Sequence, residues 1–320
     1  MGTKTVELTE RDIALLHLLS RCGIMKSSQA QQIYGDVKRY HLHRIEKLSK
    51  AGMIIRNYGV IRPSKKGLQA IGYKGEPVRL LKHQFKDRAL AVELLLSFPD
   101  WDSTFGIELK RQGLLERGSR IVGTVSRDNL KYAFYFLSYK PRSKTVTSLQ
   151  SELEDLRLWD ITRVAIFCTT AKIINALDLE PPSNIEECYL LPYPAGVDSF
   201  RRIFTDDFVA FINQRFPGIK PCTRPFAHFE WQDNYITVMH TNDIVKRQAL
   251  LEYLTYAQKR ESRKCIIVCT PGQAKDIKTL FQEYDVELII DERTDTKIQK
   301  PATPEKEADF ISFSHYPIHP

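Results

Sequence analysis

A strand-like run leads directly into basic residues in the stretch YFLSYKPRSK at positions 135–144. In metal-dependent phosphodiester cleavage, carboxylates near such a strand end hold a divalent cation over the scissile bond. Here the strand end offers Ser138 and Lys140, and neither Asp nor Glu occurs between Asp128 and Glu152. The ligands for cleavage are therefore missing at this position, and we predict no catalytic residue and no metal site.

A second candidate for metal chemistry is the pair His41 and His43 in YHLHR. This spacing is similar to the histidine–hydrophobe–histidine signature of rolling-circle replication nucleases, in which both histidines lie on one face of a strand. The surrounding apolar residues follow helical spacing, and residues two apart on a helix point about 200° from each other. The two imidazoles therefore cannot share a metal ion, and we interpret the match as coincidence.

Polar pairs in the second half of the chain have simpler interpretations than catalysis. His240 and Asp243 stand near a strand end, where Asp243 or Asn242 is typical of a helix cap. Asp206 and Asp207 are typical of first-turn charges on a helix.

The six cysteines contain no C-x-x-C pair, which argues against zinc and indicates reduced thiols in a cytoplasmic protein. No apolar run is long enough to span a bilayer, so we expect no membrane partner.

The positive charge of the chain is concentrated in its first quarter. The net charge is +8, and residues 1–83 contain 16 of the 47 basic residues but only 6 of the 39 acidic ones. The rest of the chain is close to neutral. This asymmetry indicates a module that meets a polyanion, most often nucleic acid.

Three helices are predicted in this basic region. LTERDIALLHLLSRCG begins with Thr9 as N-cap and Asp12 three residues later. KSSQAQQIYG is a shorter helix with Ser27 or Ser28 as its cap and Gly35 at its end, and VKRYHLHRIEKLSKAG is the third helix.

A hairpin follows the third helix. MIIRNYGVIRPSKKG is predicted to form two strands that turn at residues 57–59, with a further helix from near Ser64. Three helices and a hairpin in this order predict a winged helix-turn-helix, whose third helix enters the major groove of DNA.

The third helix has an apolar face and a basic face. Leu42, Ile45 and Leu48 share one side at helical spacing and are expected to be buried. Arginine reads guanine edges and lysine neutralises phosphates, so the other side predicts a DNA-reading surface. The alternative is a solvated basic face of a winged helix that binds protein. The predicted contacts are Arg39, Tyr40, His43, Arg44 and Lys47 in the groove, with Arg56, Arg62, Lys65 and Lys66 on the DNA backbone.

After residue 77 the sequence alternates strand-like and helical patterns. GSRIVGTVS, KYAFYFLSY, RVAIFCTT and ECYLLPY are predicted strands, with the helix TVTSLQSELEDLRLW between the second and the third. Residues 135–170 align without gaps to residues 236–271, with IFCT matching IVCT. We therefore predict two tandem β-β-α-β-α-β units, either nuclease-like (restriction-endonuclease-like) or Rossmann-like. Neither copy has a glycine-rich phosphate loop, so no cofactor is predicted.

The layout resembles the replication-relaxation family of plasmid and mobile-element proteins. The similar stretches are LTERDIALLHLLSRCGIMKSSQAQQIYG with HRIEKLSKAGMIIR, then LLKHQFKDRALAVELLL and YAFYFLSY, about the first half of the chain. The resemblance implies a nuclease-like body with an Asp on one strand and a Glu on the next. This sequence has Gly123 and Ser138 at the equivalent places, so the implied nuclease would be inactive.

The expected fold is therefore α/β (α+β overall), with a winged helix-turn-helix at residues 1–76, α/β units at 77–200 and 201–292, and a tail at 293–320.

The expected function is sequence-specific binding of double-stranded DNA in plasmid or mobile-element replication or maintenance, without catalysis. The alternatives are a transcriptional regulator with an α/β dimerisation or sensor domain and, third, a metal-dependent nuclease. We also expect a homodimer and a protein partner for the tail. Secondary backbone contacts are predicted at Lys140, Arg142 and Lys144.

Overall fold

The computed structural model describes residues 6–35, 37–261 and 263–295. Over these ranges the chain is a mixed α/β protein with three β-sheets. The predicted tail lies outside the described residues, except for the short 3₁₀ turn Glu292–Asp295 at its start. No helix in the described ranges is long and apolar enough to cross a membrane.

The first sheet and four helices form the N-terminal module, which comprises the described residues up to 76. Its sheet has the strand order β1-β3-β2, and both pairs are antiparallel. The 3₁₀ turn Ser27–Ala30 leads into the second helix. The elements are α1 Glu10–Cys22, β1 Met25–Lys26, α2 Gln31–Tyr34, α3 Tyr40–Lys50, β2 Ile54–Asn57, β3 Val60–Pro63 and α4 Lys65–Ala70.

Local sequence signals set several of these boundaries. The predicted capping box of α1 is confirmed, because the Thr9 side chain accepts from the Asp12 N–H and the Thr9 N–H donates to Asp12 Oδ2 at 2.8 Å. Between β2 and β3 the chain turns at Tyr58 and Gly59, with φ of 51° and 74°. Positive φ at both central positions matches the right-handed twist of a two-residue hairpin. Ser64 caps α4 by accepting from the Gly67 N–H.

The predicted serine cap of the second helix is wrong. Its first turn is the 3₁₀ segment, and the Lys26 N–H donates to Gln29 Oε1 at 2.6 Å. The Ser27 hydroxyl is buried and has no hydrogen-bond partner among the described residues. The side chain of Gln29 therefore satisfies the helix start. Gly35 ends the helix, as predicted, with φ of 81°.

The second sheet begins after the N-terminal module. Its order is β4-β5-β6-β7-β8, antiparallel from β4 to β6 and parallel from β6 to β8. The four strands predicted from the sequence correspond to β5–β8, whereas β4 was not predicted. The elements of this first α/β unit are α5 Phe85–Leu96, β4 Asp102–Phe105, α6 Gly106–Arg111, β5 Ile121–Arg127, β6 Leu130–Leu137, α7 Ser143–Asp155, β7 Arg163–Cys168, α8 Ala171–Ala176 and β8 Glu187–Pro192.

The two faces of this sheet bury different cores. Along β6, Tyr132 and Phe134 belong to one apolar cluster, while Tyr135 and Leu137 belong to another. This division follows from the alternation of side chains across a strand. The first cluster is continuous with the core of the N-terminal module, which includes Leu16 of α1.

The third sheet lies in the second α/β unit and has the order β13-β12-β11-β10-β9. Strands β9 to β11 are antiparallel and strands β11 to β13 are parallel. Helix α9 Ala195–Arg202 precedes this unit and packs on the first sheet, because its Val197 and Phe200 belong to the same apolar cluster as Tyr132. The elements of the second unit are α10 Asp206–Arg215, β9 Lys220–Pro221, β10 Phe229–Trp231, β11 Asn234–Val238, α11 Ile244–Tyr256, α12 Gln258–Glu261, β12 Cys265–Cys269, α13 Pro271–Leu280 and β13 Val286–Ile290.

The two five-stranded sheets share one strand plan. In each, three antiparallel strands are followed by two more strands that run parallel to the third. Helices α7 and α11 are both 13 residues long. They fall on matching positions of the gapless alignment between residues 135–170 and 236–271.

Polar contacts fix the N-terminal module against the first α/β unit. Arg21 Nε lies 2.8 Å from Glu108 Oε1, and Lys26 Nζ lies 2.7 Å from Glu93 Oε2. These pairs join α1 and β1 to α6 and α5. Because the apolar core is also continuous, the module has a fixed orientation on the unit that follows it.

Candidate nucleic-acid interface

Helix α3 carries basic side chains on its exposed side. His43 and Lys47 are exposed, as is Lys50, whose Nζ donates to Glu46 Oε1 at 2.5 Å. Arg39 precedes the first turn of the helix and is exposed, with a left-handed φ of 61°. Four of the basic residues on or beside this helix are therefore accessible to a ligand.

Tyr40 lies at the border between the exposed and buried sides of α3. It is half-buried, and its ring packs edge-on against Tyr34 with a centroid distance of 5.9 Å. The ring is therefore anchored on the module core. Its predicted groove contact would have to be made by the accessible part of the side chain.

Arg44 is not on the exposed side, so its predicted groove contact is wrong. Its guanidinium is buried and forms a two-point ion pair with Asp12 of α1, with Nε 3.2 Å from Oδ1 and Nη2 close to Oδ2. Nη2 also donates to the Glu7 carbonyl oxygen at 3.2 Å. The side chain connects α3 to α1 and is not available to contact DNA.

The carboxylate of Asp12 is the centre of this buried network. Tyr34 donates its hydroxyl proton to Oδ1 at 2.7 Å, in addition to the bonds from Arg44 and Thr9. Burial alone raises the pKa of Asp12, but the hydrogen bonds from Arg44, Tyr34 and Thr9 outweigh it and lower the pKa below its ordinary value. Asp12 is therefore held ionised in the core of the module.

The hairpin adds Arg56 to the exposed basic surface. Arg56 is exposed on β2. Lys50, His43 and Arg56 all lower the pKa of Glu46, with the Lys50 hydrogen bond as the largest influence. Their charges therefore converge around one position of α3. We call His43, Lys47, Lys50 and Arg56 the basic surface.

The other predicted hairpin contacts have partners within the protein. The Arg62 guanidinium stacks over the Phe85 ring at 4.5 Å, which ties β3 to α5. Lys66 Nζ donates to the Ala51 carbonyl oxygen at 2.8 Å, just beyond the end of α3. Lys65 is exposed, with its Nζ 3.0 Å from Glu76 Oε1. Arg62 therefore supports the fold, while Lys65 and Lys66 are both exposed, each with one partner inside the protein.

One aromatic residue at the hairpin tip was missed by the sequence reasoning. Tyr58 is exposed between β2 and β3, and Lys82 Nζ lies 5.8 Å from its ring centroid. The available signal was a large aromatic residue inside an otherwise polar turn. Tyr58 and Lys82 extend the accessible cationic and aromatic area beyond the basic surface.

The three secondary contacts lie together at the start of α7. Lys140, Arg142 and Lys144 are all exposed, and Arg142 is the residue before the first turn of the helix. The first turn contains no acidic residue. Cations at a helix N-terminus oppose the helix dipole. A bound phosphate would remove that electrostatic disadvantage.

Gly123 occupies the place where the family resemblance implies an Asp. A Cβ built on Gly123 would lie 2.5 Å from the Thr104 carbonyl oxygen and 2.6 Å from Leu95 Cδ1. The close packing of β5 against β4 and α5 therefore leaves no room for a carboxylate. Ser138, at the other implied position, is half-buried, and its carbonyl oxygen accepts from the Thr169 hydroxyl at 3.2 Å.

Replacing Gly123 by alanine is expected to lower the free energy of unfolding by about 1–3 kcal/mol, the usual cost of overpacking. Gly118→Ala is the matched control, because a Cβ there meets nothing within 4 Å. Chemical unfolding of both variants checks the comparison. Equal stability of the two variants would contradict the close packing at Gly123.

The other residues considered for metal binding lie at positions where they serve the fold. His41 is buried and His43 is exposed, so the two histidines point to different sides of α3, as the helical spacing predicts. Asp243 is the N-cap of α11, and Asp206 begins the first turn of α10. Among the residues that the structure describes, no three His, Cys, Asp or Glu side chains are grouped to hold a metal ion.

The fold defines a mixed α/β protein with a helical N-terminal module built around a small antiparallel sheet. No protein-family model matches the chain, and no curated protein or solved structure is significantly similar to it. The resemblance to the replication-relaxation family therefore stays a prediction from sequence motifs.

Proposed function

We propose that this protein binds double-stranded DNA in a sequence-specific manner through its N-terminal module, used as a winged helix-turn-helix. The observation that carries the proposal is the basic surface. Exposed His43, Lys47 and Lys50 lie on the side of α3 that faces away from its buried residues, and Arg56 of the hairpin adds to them. Phosphate contacts of this kind supply most of the affinity for duplex DNA.

The arrangement of elements supports this use of α3. The chain order is α1, β1, α2, α3, β2, β3, and the central strand β3 holds the hairpin against β1. At about 1.5 Å per residue, the 11 residues of α3 span about 16 Å. With its side chains an α-helix is about 10–12 Å in diameter, which fits the major groove, about 12 Å wide. The hairpin then reaches an adjacent backbone.

The two α/β units are proposed to be a tandem duplication without nuclease activity. Their shared strand plan and their equivalent 13-residue helices support duplication. The packing around Gly123, which leaves no space for a carboxylate, supports the loss of cleavage. The proposed setting is plasmid or mobile-element replication or maintenance, on the strength of the motif resemblance. The protein would act there as a homodimer.

A second candidate function is transcriptional regulation with the α/β units as a sensor. It is favoured by a large cleft between these units, which residues of both units line. Footprinting on the native replicon separates the two candidates. Repeated sites at an origin favour replication, and a single site over a promoter favours regulation.

The double variant Lys47→Glu/Arg56→Glu is expected to weaken binding of selected duplex DNA at least about tenfold at moderate salt. Each lost phosphate contact should also reduce the slope of log K against log salt by about 0.9, hence by about 2 for the pair. Gel retardation over a series of salt concentrations, with fragments selected from the native replicon, measures both quantities.

The control for net charge is Lys259→Glu/Lys278→Glu, which reverses two exposed lysines on α12 and α13. This variant should bind as the parent does. If both double variants lose the same affinity, binding depends on overall charge and the basic surface is not the reader. If neither changes, the N-terminal module does not contact DNA through α3.

A further inference from the structure

A large cleft lies between the two α/β units, with a volume of about 1760 Å³. Its walls include Pro192 at the end of β8, Met239 just after β11 and Thr270 just after β12. Parallel strands of both sheets therefore direct their carboxyl ends into one opening. In α/β proteins this is the edge at which ligands bind.

The walls of the cleft carry arginines that lack carboxylate partners. Arg202 and Arg247 are half-buried and line the cleft. Arg247 Nη1 donates to Asn242 Oδ1 at 3.1 Å, and neither arginine has a carboxylate within ion-pair distance in the described ranges. Burial lowers the pKa of Arg247, only partly offset by the nearby charge of Asp243. A half-buried guanidinium without a carboxylate at ion-pair distance is in an unfavourable electrostatic position.

The acidic residues that line the cleft are exposed, in contrast to the half-buried Arg202 and Arg247. Asp178, Asp198, Asp207 and Asp276 line the cleft and are all exposed. These exposed carboxylates form an acidic rim, which the exposed Arg201 interrupts, and Arg202 and Arg247 lie deeper. This layout repels an extended polyanion at the entrance and favours a small anion inside.

A buried histidine in the cleft wall has no hydrogen-bond partner. His240 is 2% exposed, and neither ring nitrogen is hydrogen-bonded by a described residue. Its Nε2 lies 3.7 Å from Asp291 Oδ2, and Asp291 is held by Arg293 through two contacts of 2.8 Å. Burial is the main influence that lowers the pKa of His240, to about 4, so the neutral ring offers one donor and one acceptor. Both ring nitrogens are shielded from solvent, so this imidazole lies behind the surface of the cleft.

The N-terminus of α13 adds a further feature for anion binding. Thr270 and Gly272 line the cleft at the start of this 10-residue helix. Pro271 is its first residue, and a Cβ on Gly272 would meet nothing within 4 Å. Open space therefore adjoins the positive end of the helix dipole.

We propose that this cleft binds a small phosphorylated ligand, with Arg202 and Arg247 pairing its phosphate. Two arginines together with a helix N-terminus suit the several oxygens and the double charge of a phosphate better than a single carboxylate. The acidic rim favours a free small molecule over a DNA strand. This proposal does not depend on the proposed DNA-binding function, because none of its residues belongs to the N-terminal module.

Calorimetry of the full chain at constant ionic strength tests the proposal. The probes are inorganic phosphate, adenosine 5′-monophosphate, adenosine and single-stranded oligothymidine. The phosphate-bearing small probes should bind with a Kd at or below about 1 mM, and adenosine should not bind. Arg202→Gln and Arg247→Gln should each weaken binding at least about tenfold. Arg215→Gln, on exposed α10 surface outside the cleft, should leave binding unchanged.

A rim variant guards against loss by misfolding, because Asp276 is exposed and its replacement leaves the core intact. Asp276→Asn should tighten binding of adenosine 5′-monophosphate. Absence of binding for both phosphate-bearing small probes would overturn the proposal, as would equal losses in the Arg202, Arg247 and Arg215 variants. Tighter binding of oligothymidine than of the mononucleotide, with the same dependence on Arg202, would assign the cleft to a DNA strand instead.

Discussion

Replacing Arg44 by methionine is expected to lower the free energy of unfolding by about 3–5 kcal/mol, the typical cost of breaking a buried ion pair from one side. Asp12 is fully buried and would keep its negative charge in the core without the guanidinium. The remaining hydrogen bonds from Tyr34 and Thr9 satisfy oxygen atoms but supply no positive charge. Urea unfolding at neutral pH measures the loss.

The pH dependence of this loss has a defined sign. In the parent the pKa of Asp12 lies below its ordinary value of 3.8, so its ionised form stabilises the fold above that pH. The contribution is lost as the pH falls through the lowered pKa. In the variant, burial is left as the main influence and raises the pKa of Asp12. The difference in stability between parent and variant should therefore shrink at acidic pH, where the carboxyl group is protonated.

Two further variants distinguish the cost of leaving a buried charge unpaired from the cost of losing side-chain packing. Lys47→Met removes an exposed cation one turn along the same helix and should change stability by less than about 0.5 kcal/mol. The double variant Asp12→Asn/Arg44→Met should recover part of the loss, because no uncompensated charge remains. A single Arg44→Met variant as stable as the parent would show that the pair with Asp12 contributes nothing to folding.

The inward position of Arg44 shows where reasoning from sequence stopped short. The buried residues of α3 are His41, Arg44, Ile45 and Leu48, which follow the i, i+3, i+4, i+7 pattern. Reasoning by residue type had placed the arginine at the edge of the basic side, because a charged residue is rarely buried alone. The missing information was the partner, Asp12, which occupies the corresponding polar position on the apolar face of α1.

Features set by local chemistry were predictable from the sequence. The capping box at Thr9, the turn at Tyr58 and Gly59, and the helix start after Ser64 each depend on residues within a few positions of each other. The strands β5–β8 also have long apolar runs. The edge strands β4 and β9 were missed, because they are short and depend on pairing with a neighbour in the sheet.

Features set by packing between distant segments could not be predicted. The stacking of Arg62 on Phe85 and the cleft between the α/β units both join parts of the chain that are far apart in sequence. The sequence places His240 only near the end of a strand. Its burial without partners follows from the way α10 and Asp291 close around it.

The second large effect is expected at Asp243, for which Asp243→Asn should raise the free energy of unfolding at pH 8 by about 2–4 kcal/mol. Asp243 is fully buried as the N-cap of α11. Its Oδ1 accepts from the N–H groups of Val245 at 3.1 Å and Cys188 at 3.2 Å, while Oδ2 has no hydrogen-bond partner among described residues. Asparagine keeps an oxygen for these bonds and removes the charge.

The sign follows from the pKa of the carboxyl group. Burial raises the pKa of Asp243 from 3.8 to about 7, and the hydrogen bond from the Cys188 N–H only partly opposes this. Between these two values the folded state binds more protons than the unfolded state, so this group makes stability fall as pH rises. Above pH 7 the folded state bears the full cost of the buried, ionised Asp243 carboxylate. At 1.36 kcal/mol per pKa unit this cost is up to about 4 kcal/mol. Below pH 4 the carboxyl group is neutral in both states, and the substitution should have little effect.

Buried histidines impose the opposite trend on the whole protein, so the comparison must be between parent and variant at each pH. Burial lowers the pKa of His240 to about 4 and that of His228 to about 3. Both histidines must gain a proton on unfolding below their ordinary pKa of 6.5, which makes stability rise with pH up to that value. Because Asp243→Asn leaves them in place, their contribution cancels in the difference.

Asp291→Asn is the matched control, since Asp291 is an equally buried aspartate but is paired with Arg293 at 2.8 Å. Burial alone raises the pKa of Asp291, but the Arg293 hydrogen bond and charge outweigh it, and the pKa is lowered. Its replacement should therefore destabilise the protein at pH 8, opposite in sign to Asp243→Asn. Thermal unfolding of both variants at pH 5 and pH 8 measures the contrast. If Asp243→Asn also destabilises the protein at pH 8, the charge of Asp243 is stabilised in the folded state and the pKa of Asp243 is not raised.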